Sequence, residues 1–323
     1  MTIAKPVIFI VTPGTPDANN GNWRTAWRWS QMLRDRYRII VQTQWTGEPA
    51  DLLIALHARR SAASIERFNR GNGRPIVIVL TGTDLYRDLE EHAEVGRSLD
   101  QADRIVVLQE DALNLLAPPW RAKSEVIFQS ARSIVHRRAN GGILRCIVVG
   151  HLREEKDPLT VIRAFDWLPA DFPVRVRQVG APLDVGIARA ARAFTRREAR
   201  YRYSGALPHG LARAALASSD LLIHPSLMEG GANAIVEAVT SGTPVLASRM
   251  SGNVGMLGGD YPGYFPVGDA AGLAALLRRC GEERGFLRGL ERACARRRAR
   301  FRPAAESRAL GRLVARVLTQ GQG

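Results

Sequence analysis

The chain has 323 residues, 46% of them apolar, and a formal net charge of +15. That length allows two domains of ordinary size, and that apolar share is the share of a globular protein. No uninterrupted apolar run reaches the roughly 18 residues of a membrane span, so no stable membrane insertion is expected.

The start, Met1 to Val11, enters an apolar strand without a basic region or a small-residue cleavage site, so no signal peptide is expected. Cys146, Cys280 and Cys294 lack metal-ligand spacing. They suit reduced thiols and a cytoplasmic location, with no metal site. The charge is almost all arginine, since lysine occurs only at Lys5, Lys123 and Lys156. Its densest runs, Arg189 to Arg202 and Arg278 to Arg302, hold Phe194 and Tyr201, and Phe286 and Phe301, and match no nucleic-acid-binding module. They read as solvated helix faces, and no specific nucleic-acid partner is expected.

Strands alternate with helices along the chain. Val7 to Val11 reads as a strand, Trp23 to Arg34 as a helix, and Arg38 to Gln42 and Asp51 to Leu56 as strands. A helix follows from about Ser61 to Asn69, then strands at Pro75 to Leu80, Arg104 to Leu108 and Glu125 to Phe128. The basic, glycine-containing stretch from Ser133 to Gly142 is the linker candidate. The pattern restarts with a strand at Leu144 to Val149, a helix at Pro158 to Trp167 and a strand at Val174 to Val179. A helix at Ile187 to Arg197, a strand at Tyr201 to Ser204, a helix at Leu211 to Ala217 and strands at Leu221 to His224 and Val245 to Ala247 follow, with helix from Ala271. Continuous apolar runs between turn residues suit parallel strands covered on both faces. The expected class is α/β: two Rossmann-like doubly wound domains with a cleft between them. Their expected limits are 1–138, completed by a C-terminal helix at about 303–323, and 139–302.

The candidate site residues follow strands. Glu229 and Glu237 lie eight residues apart in Glu-Gly-Gly-Ala-Asn-Ala-Ile-Val-Glu. Gly230, Gly231, Ala232 and Asn233 put free backbone N–H groups at a helix N-terminus, where a diphosphate is held. Glu229 can accept from sugar hydroxyls, and Glu237 can chelate a ribose diol. His151, Arg153 and Lys156 follow the first strand of the second half and offer charge to a departing diphosphate. Gly21 and Asn22 open a helix after the first strand, again suited to an anion. Arg24, Thr25 and Arg28 lie along that helix. His57, Arg59 and Arg60 follow the third strand, and Thr81, Thr83 and Asp84 the fourth. These first-half groups suit a small anion, or else a capped, solvated loop, with Asp84 as a helix N-cap. Ser251-Gly-Asn-Val-Gly reads as a loop.

These second-half motifs resemble the family 4 nucleotide-sugar glycosyltransferases of GT-B fold: Gly150-x₅-Lys156, Asp220-Leu-Leu-Ile-His-Pro-Ser226, Glu229-x₇-Glu237 and Gly242-Thr-Pro-Val245. The resemblance implies that Glu229 meets the donor sugar, Glu237 the ribose and Lys156 the diphosphate. That family places arginine after the loop glycine; this chain has His151 there, with Arg153 two residues on. A closer resemblance, to the selenosugar synthases of selenoneine biosynthesis, rests on Thr-Pro-Gly-Thr-Pro-Asp, Gly-Asn-Trp-Arg-Thr-Ala, Leu-His-Ala-Arg-Arg-Ser, Leu-Thr-Gly-Thr-Asp-Leu-Tyr, Gly-His-Leu-Arg-x-x-Lys-Asp-Pro and Glu-Gly-Gly-Ala-Asn. It implies a donor UDP-N-acetylglucosamine or UDP-glucose, selenophosphate as acceptor, and a 1-seleno-sugar, UDP and phosphate as products. No cofactor or metal is implied. His57 and Asp84 are candidate helpers in phosphate removal. An ordinary glycosyltransferase using a hydroxyl acceptor, and a non-catalytic basic nucleic-acid binder on the same scaffold, are the alternatives. Monomer and homodimer both stay open.

Overall fold

The computed structural model describes residues 5–16, 21–135 and 142–320. Residues 17–20 of the first loop and 136–141 of the expected linker, with the 138/139 boundary, lie outside the described residues. The chain divides into two compact units, residues 1–129 with 303–323, and residues 130–302.

The first unit runs β1 (Val7–Val11), α1 (Gly21–Leu33), β2 (Arg38–Gln42), β3 (Leu52–Leu56), α2 (Ala62–Asn72), β4 (Ile76–Leu80), α3 (Thr83–Tyr86), α4 (Asp88–Glu91), α5 (Ala93–Gln101), β5 (Arg104–Val107), α6 (Pro118–Ala122) and β6 (Ser124–Val126). The second unit runs β7 (Leu144–Val149), α7 (Pro158–Ala164), β8 (Val174–Val179), α8 (Val185–Arg197), β9 (Tyr201–Tyr203), α9 (His209–Ser218), β10 (Leu221–His224), α10 (Asn233–Ser241), β11 (Val245–Ser248), α11 (Ser251–Leu257), β12 (Tyr264–Phe265), α12 (Ala270–Glu282) and α13 (Arg284–Arg297). The last helix, α14 (Pro303–Gln320), belongs to the first unit.

Each unit is built on one parallel six-stranded sheet. The first is ordered β2-β1-β3-β4-β5-β6, the second β12-β11-β10-β7-β8-β9. β3 and β4 are buried at every position, because helices cover both faces. On one face Phe9, Leu53, Ile78 and Ile105 pack with Ile65 and Phe68 of α2 and Leu99 of α5. On the other, Ile10, Ile54 and Val79 pack with Trp29 of α1 and Leu310, Leu313 and Val317 of α14. α14 is also held by Glu306, 2% exposed, which accepts from Arg28 Nε at 2.8 and 3.0 Å and from Trp29 Nε1 at 2.8 Å.

Four helices of the first unit, α3 to α6, and the strand β12 went unread in the sequence. α3 and α4 are four residues each, too short for periodicity to show. β12 has only two residues. Ser251 to Leu257, read as a loop, is helix α11: its glycines are not breakers, because Gly252 is packed on the Glu229 backbone. The three cysteines are buried and unbonded. Burial pushes the Cys280 thiol up to about 12 and Cys294 to about 11. Among the described residues, no helix is long and apolar enough to cross a membrane.

Candidate active site

In an open parallel sheet, ligands bind beyond the carboxyl ends of the strands where the strand order reverses. In the second sheet that point lies between β7 and β10. The loops following these two strands carry Lys156 and Glu229. A backbone bond from Leu227 N to Glu155 O at 2.9 Å ties the loops together. Lys156 ends a single 3₁₀ turn, Glu154–Lys156. Asp157 then takes a left-handed conformation, φ 36°, and its side chain accepts from Thr160 N, capping α7. The turn and the cap together aim Lys156 back across the loop, where its Nζ pairs with Glu229 Oε1.

Glu229 is 8% exposed. Its carboxylate also accepts from Ser226 Oγ at 2.8 Å and lies 3.0 Å from His224 Nε2. Burial alone would raise its pKa, but the Lys156 ammonium and the His224 contact outweigh it and hold the carboxyl well below the usual range. Behind it, Gly252 approaches so closely that a Cβ there would stand 1.9 Å from the Glu229 carbonyl oxygen. Gly230, Gly231 and Ala232 then lead into Asn233, the first residue of α10, with Ala232 at the N-cap. This helix start carries no acidic residue in its first turn, so its N–H groups face no built-in anion.

Glu237, two turns on, meets His209 Nε2 at 2.6 Å and Arg213 Nε at 3.8 Å, both from α9. His151 accepts the Ala181 N–H on Nδ1 at 3.1 Å. Arg153, exposed, sits 3.7 Å from Glu155. Gly180 backs this loop: a Cβ there would stand 1.8 Å from the Gly150 carbonyl oxygen. Lys156, Glu229 and the start of α10 are therefore grouped, while Glu237, further along α10, is held by His209 and Arg213 of α9. His224, Ser226, His209 and Arg213 were not singled out from sequence. The signal for His224 and Ser226 was their place at the carboxyl end of a strand, immediately before the acidic loop.

The first sheet has its reversal between β1 and β3. His57 follows β3, is 3% exposed and adopts φ 70°, a left-handed conformation that is strained for any residue but glycine. Its Nδ1 accepts from Arg60 N at 3.4 Å and its Nε2 lies 3.0 Å from Thr83 Oγ1. Burial pushes its pKa down, against the opposing pull of Asp84 and Asp88 at 3.9 and 3.8 Å. Asp84 is wholly buried and does not cap α3. One oxygen accepts from Thr81 N at 2.9 Å and Gly82 N at 2.8 Å, the other from Ala58 N at 3.0 Å. It is a strut that joins the loops after β3 and β4. Arg59 pairs with Asp88 at 3.3 Å and Glu94 at 3.6 Å; Arg60 is exposed.

On α1, Gly21 and Asn22 open the helix, and Arg24 is partly exposed. Thr25 Oγ1 donates to Gly21 O at 3.0 Å and accepts from Gln129 at 2.6 Å. Arg28 is engaged by Glu306. His57, Thr81, Thr83, Asp84 and Arg59 thus form one cluster, and the α1 residues a second.

The fold is shared widely. Anabaena HepE in complex with UDP and glucose superposes with a TM-score of 0.75 at 15% identity, over 96% of this chain and 99% of that one. A sucrose-phosphate synthase from Thermosynechococcus elongatus gives 0.81 at 16%, over 98% and 100%. These likenesses give the chain the GT-B fold of two α/β units. A glycosyltransferase 1 domain-containing protein 1 from Xenopus tropicalis is 26% identical over 208 residues, 58% of this chain, and the match spans only 60% of that relative's length. Residues 137–300, which hold the whole Lys156–Glu229 site, match the family model described as glycosyl transferases group 1. The chain belongs to the group 1 glycosyl transferases.

Proposed function

We propose that the protein moves a sugar, N-acetylglucosamine or glucose, from its UDP-linked form to the selenium of selenophosphate. The reading rests on one observation above the others: a lysine and a strongly ionised carboxylate meet beside an unoccupied-by-acid helix start. When a UDP-sugar binds, Lys156 and the α10 N–H groups take the diphosphate and Glu229 takes sugar hydroxyls. The C1–O bond breaks, and the charge that builds on the departing UDP falls on Lys156 and the helix start, which lowers the barrier. Selenium attacks C1 to form the C–Se bond. Water then attacks phosphorus, the P–Se bond breaks, and phosphate and the 1-seleno-sugar leave. Lys156 supplies the needed charge, so no metal ion is invoked. The enzyme is read as cytoplasmic and acting on small molecules.

HepE, a structural neighbour, is held with UDP and glucose, which supports the donor class. The resemblance of the first-half motifs supports the acceptor. His57 favours a second reading. A buried, neutral imidazole is a fit base for a hydroxyl, whereas selenium needs no deprotonation. Competing acceptors decide: UDP release is measured with selenophosphate and with common sugar acceptors, for wild type and His57→Gln. Turnover on selenophosphate that survives His57→Gln supports the first reading. Turnover on hydroxyl acceptors only, abolished by His57→Gln, replaces it with the second. UDP release unchanged in Glu229→Ala would sink both.

A further inference from the structure

A cavity of about 540 Å³ opens over the starts of β7, β8 and β9, against the end of α9. Arg145, Arg175, Arg177, Arg200 and Arg202 all line it. Along β8, exposed Arg175 and Arg177 alternate with buried Val174, Val176 and Gln178, so both project from one face. The strand register sets Arg145 beside Arg175 and Arg177 beside Arg202. Neighbouring strands are about 4.8 Å apart, and like charges directly opposite repel.

Carboxylates answer only part of this charge. Arg145 meets Asp220 at 3.3 Å and Arg200 meets Glu198 at 2.8 Å. Among the described residues, no carboxylate pairs with Arg175, Arg177 or Arg202; Arg177 Nε donates to Ser204 Oγ at 3.0 Å. A sheet face that sets uncompensated guanidiniums side by side around a small-molecule-sized hollow is built for an anion of high charge density.

We propose that this cavity binds a small oligophosphate, an anion of two or more linked phosphates. No aromatic side chain lines it, so a nucleobase has nothing to stack on, and recognition falls on the phosphates. It is separate from Lys156 and Glu229, which follow the carboxyl ends of β7 and β10, whereas Arg145 and Arg175 stand at the strand starts. Six residues of β7 put about 20 Å between the two ends.

Inorganic triphosphate is the probe, titrated calorimetrically at low salt into wild type, Arg177→Gln/Arg202→Gln and Lys156→Ala. Binding should survive Lys156→Ala and weaken at least about tenfold in the arginine pair, the loss of charged hydrogen bonds. ATP that binds like triphosphate identifies the phosphate chain as the recognised part; AMP should not compete. Binding lost in Lys156→Ala but intact in the arginine pair overturns the proposal. So does no binding to wild type, or displacement of triphosphate by single-stranded oligonucleotides with affinity rising with length, which would assign the face to nucleic acid. Circular dichroism of the arginine pair, expected to match wild type because both side chains are exposed, keeps a lost signal from being mistaken for misfolding.

Discussion

In the second unit, Lys156, His224 and Ser226 converge on one buried carboxylate; in the first, Asp84 and Asp88 flank one buried imidazole. Both clusters sit past the carboxyl ends of strands at a reversal of strand order. Their electrostatics run opposite ways. Glu229 is kept charged in spite of burial, and its cation is held ready for an incoming anion. His57 is kept neutral because of burial, and its acids are spent on backbone N–H groups and on Arg59. A charged pair in a helix-start loop is therefore the stronger mark of an anion site than a count of arginines near a strand end.

The largest break in that comparison is at Glu229 and Lys156. Removing a fixed charge that meets the leaving group costs on the order of 10²–10³ in turnover. Lys156→Ala is expected to fall by that much in UDP release from a UDP-sugar, and Glu229→Gln with it, because it removes the carboxylate that pairs with Lys156 and takes sugar hydroxyls. If they act as one unit, the double variant falls little further than either single one. Full additivity would mean that the pair seen here is not the working arrangement.

Gly252→Ala follows. A Cβ placed 1.9 Å from the Glu229 carbonyl oxygen must push the acidic loop off its seat. Overpacking of this kind costs about 1–3 kcal/mol. Urea unfolding should show that loss, and UDP release should drop with it, even though Gly252 carries no functional group. Turnover at the wild-type level with full stability would show that the loop does not depend on this contact.

Glu306→Ala tests the other unit. It strips Arg28 and Trp29 of a buried partner, and breaking a buried pair from one side costs roughly 3–5 kcal/mol. The measurement is the urea midpoint. The result would read Arg28 as the anchor of α14, a role the sequence could not show, since the two residues lie 278 positions apart.

That gap marks where sequence reading succeeds and fails. Every strand of four or more residues was legible: most as apolar runs between turn residues, because a doubly covered sheet demands one, and β8 as an alternation of buried valine and exposed arginine. Lys156 and Glu229 stood out because glycines, a strand end and a helix start bracket them. The partners that tune them are less legible. His209 and Arg213 reach Glu237 from the preceding helix, and nothing local in α9 marks them. Asp84 looked equally like a cap or a ligand, and only the fold shows its carboxylate bridging Ala58, Thr81 and Gly82.

The smallest effect is one of pH, and it separates the two clusters by sign of cause. Glu229 has a folded pKa below its unfolded value, so its contribution is fully present above roughly pH 4.3 and fades as the pH falls below that. His57 also has its folded pKa lowered, but from about 6.5, because the neutral ring is the one that burial favours. As the pH falls through 6.5 the unfolded chain takes up a proton that the folded chain refuses, so stability declines there. Urea midpoints taken from about pH 7.5 down to about pH 3.5 should therefore fall with pH in wild type, first through the histidine range. His57→Gln, which cannot titrate, should flatten that part of the curve, while Glu229→Gln should leave it in place and alter only the limb below pH 5. A His57→Gln curve that slopes as wild type does would mean that the imidazole is not held neutral in the folded protein, and with that its standing as a base for a hydroxyl acceptor would fall.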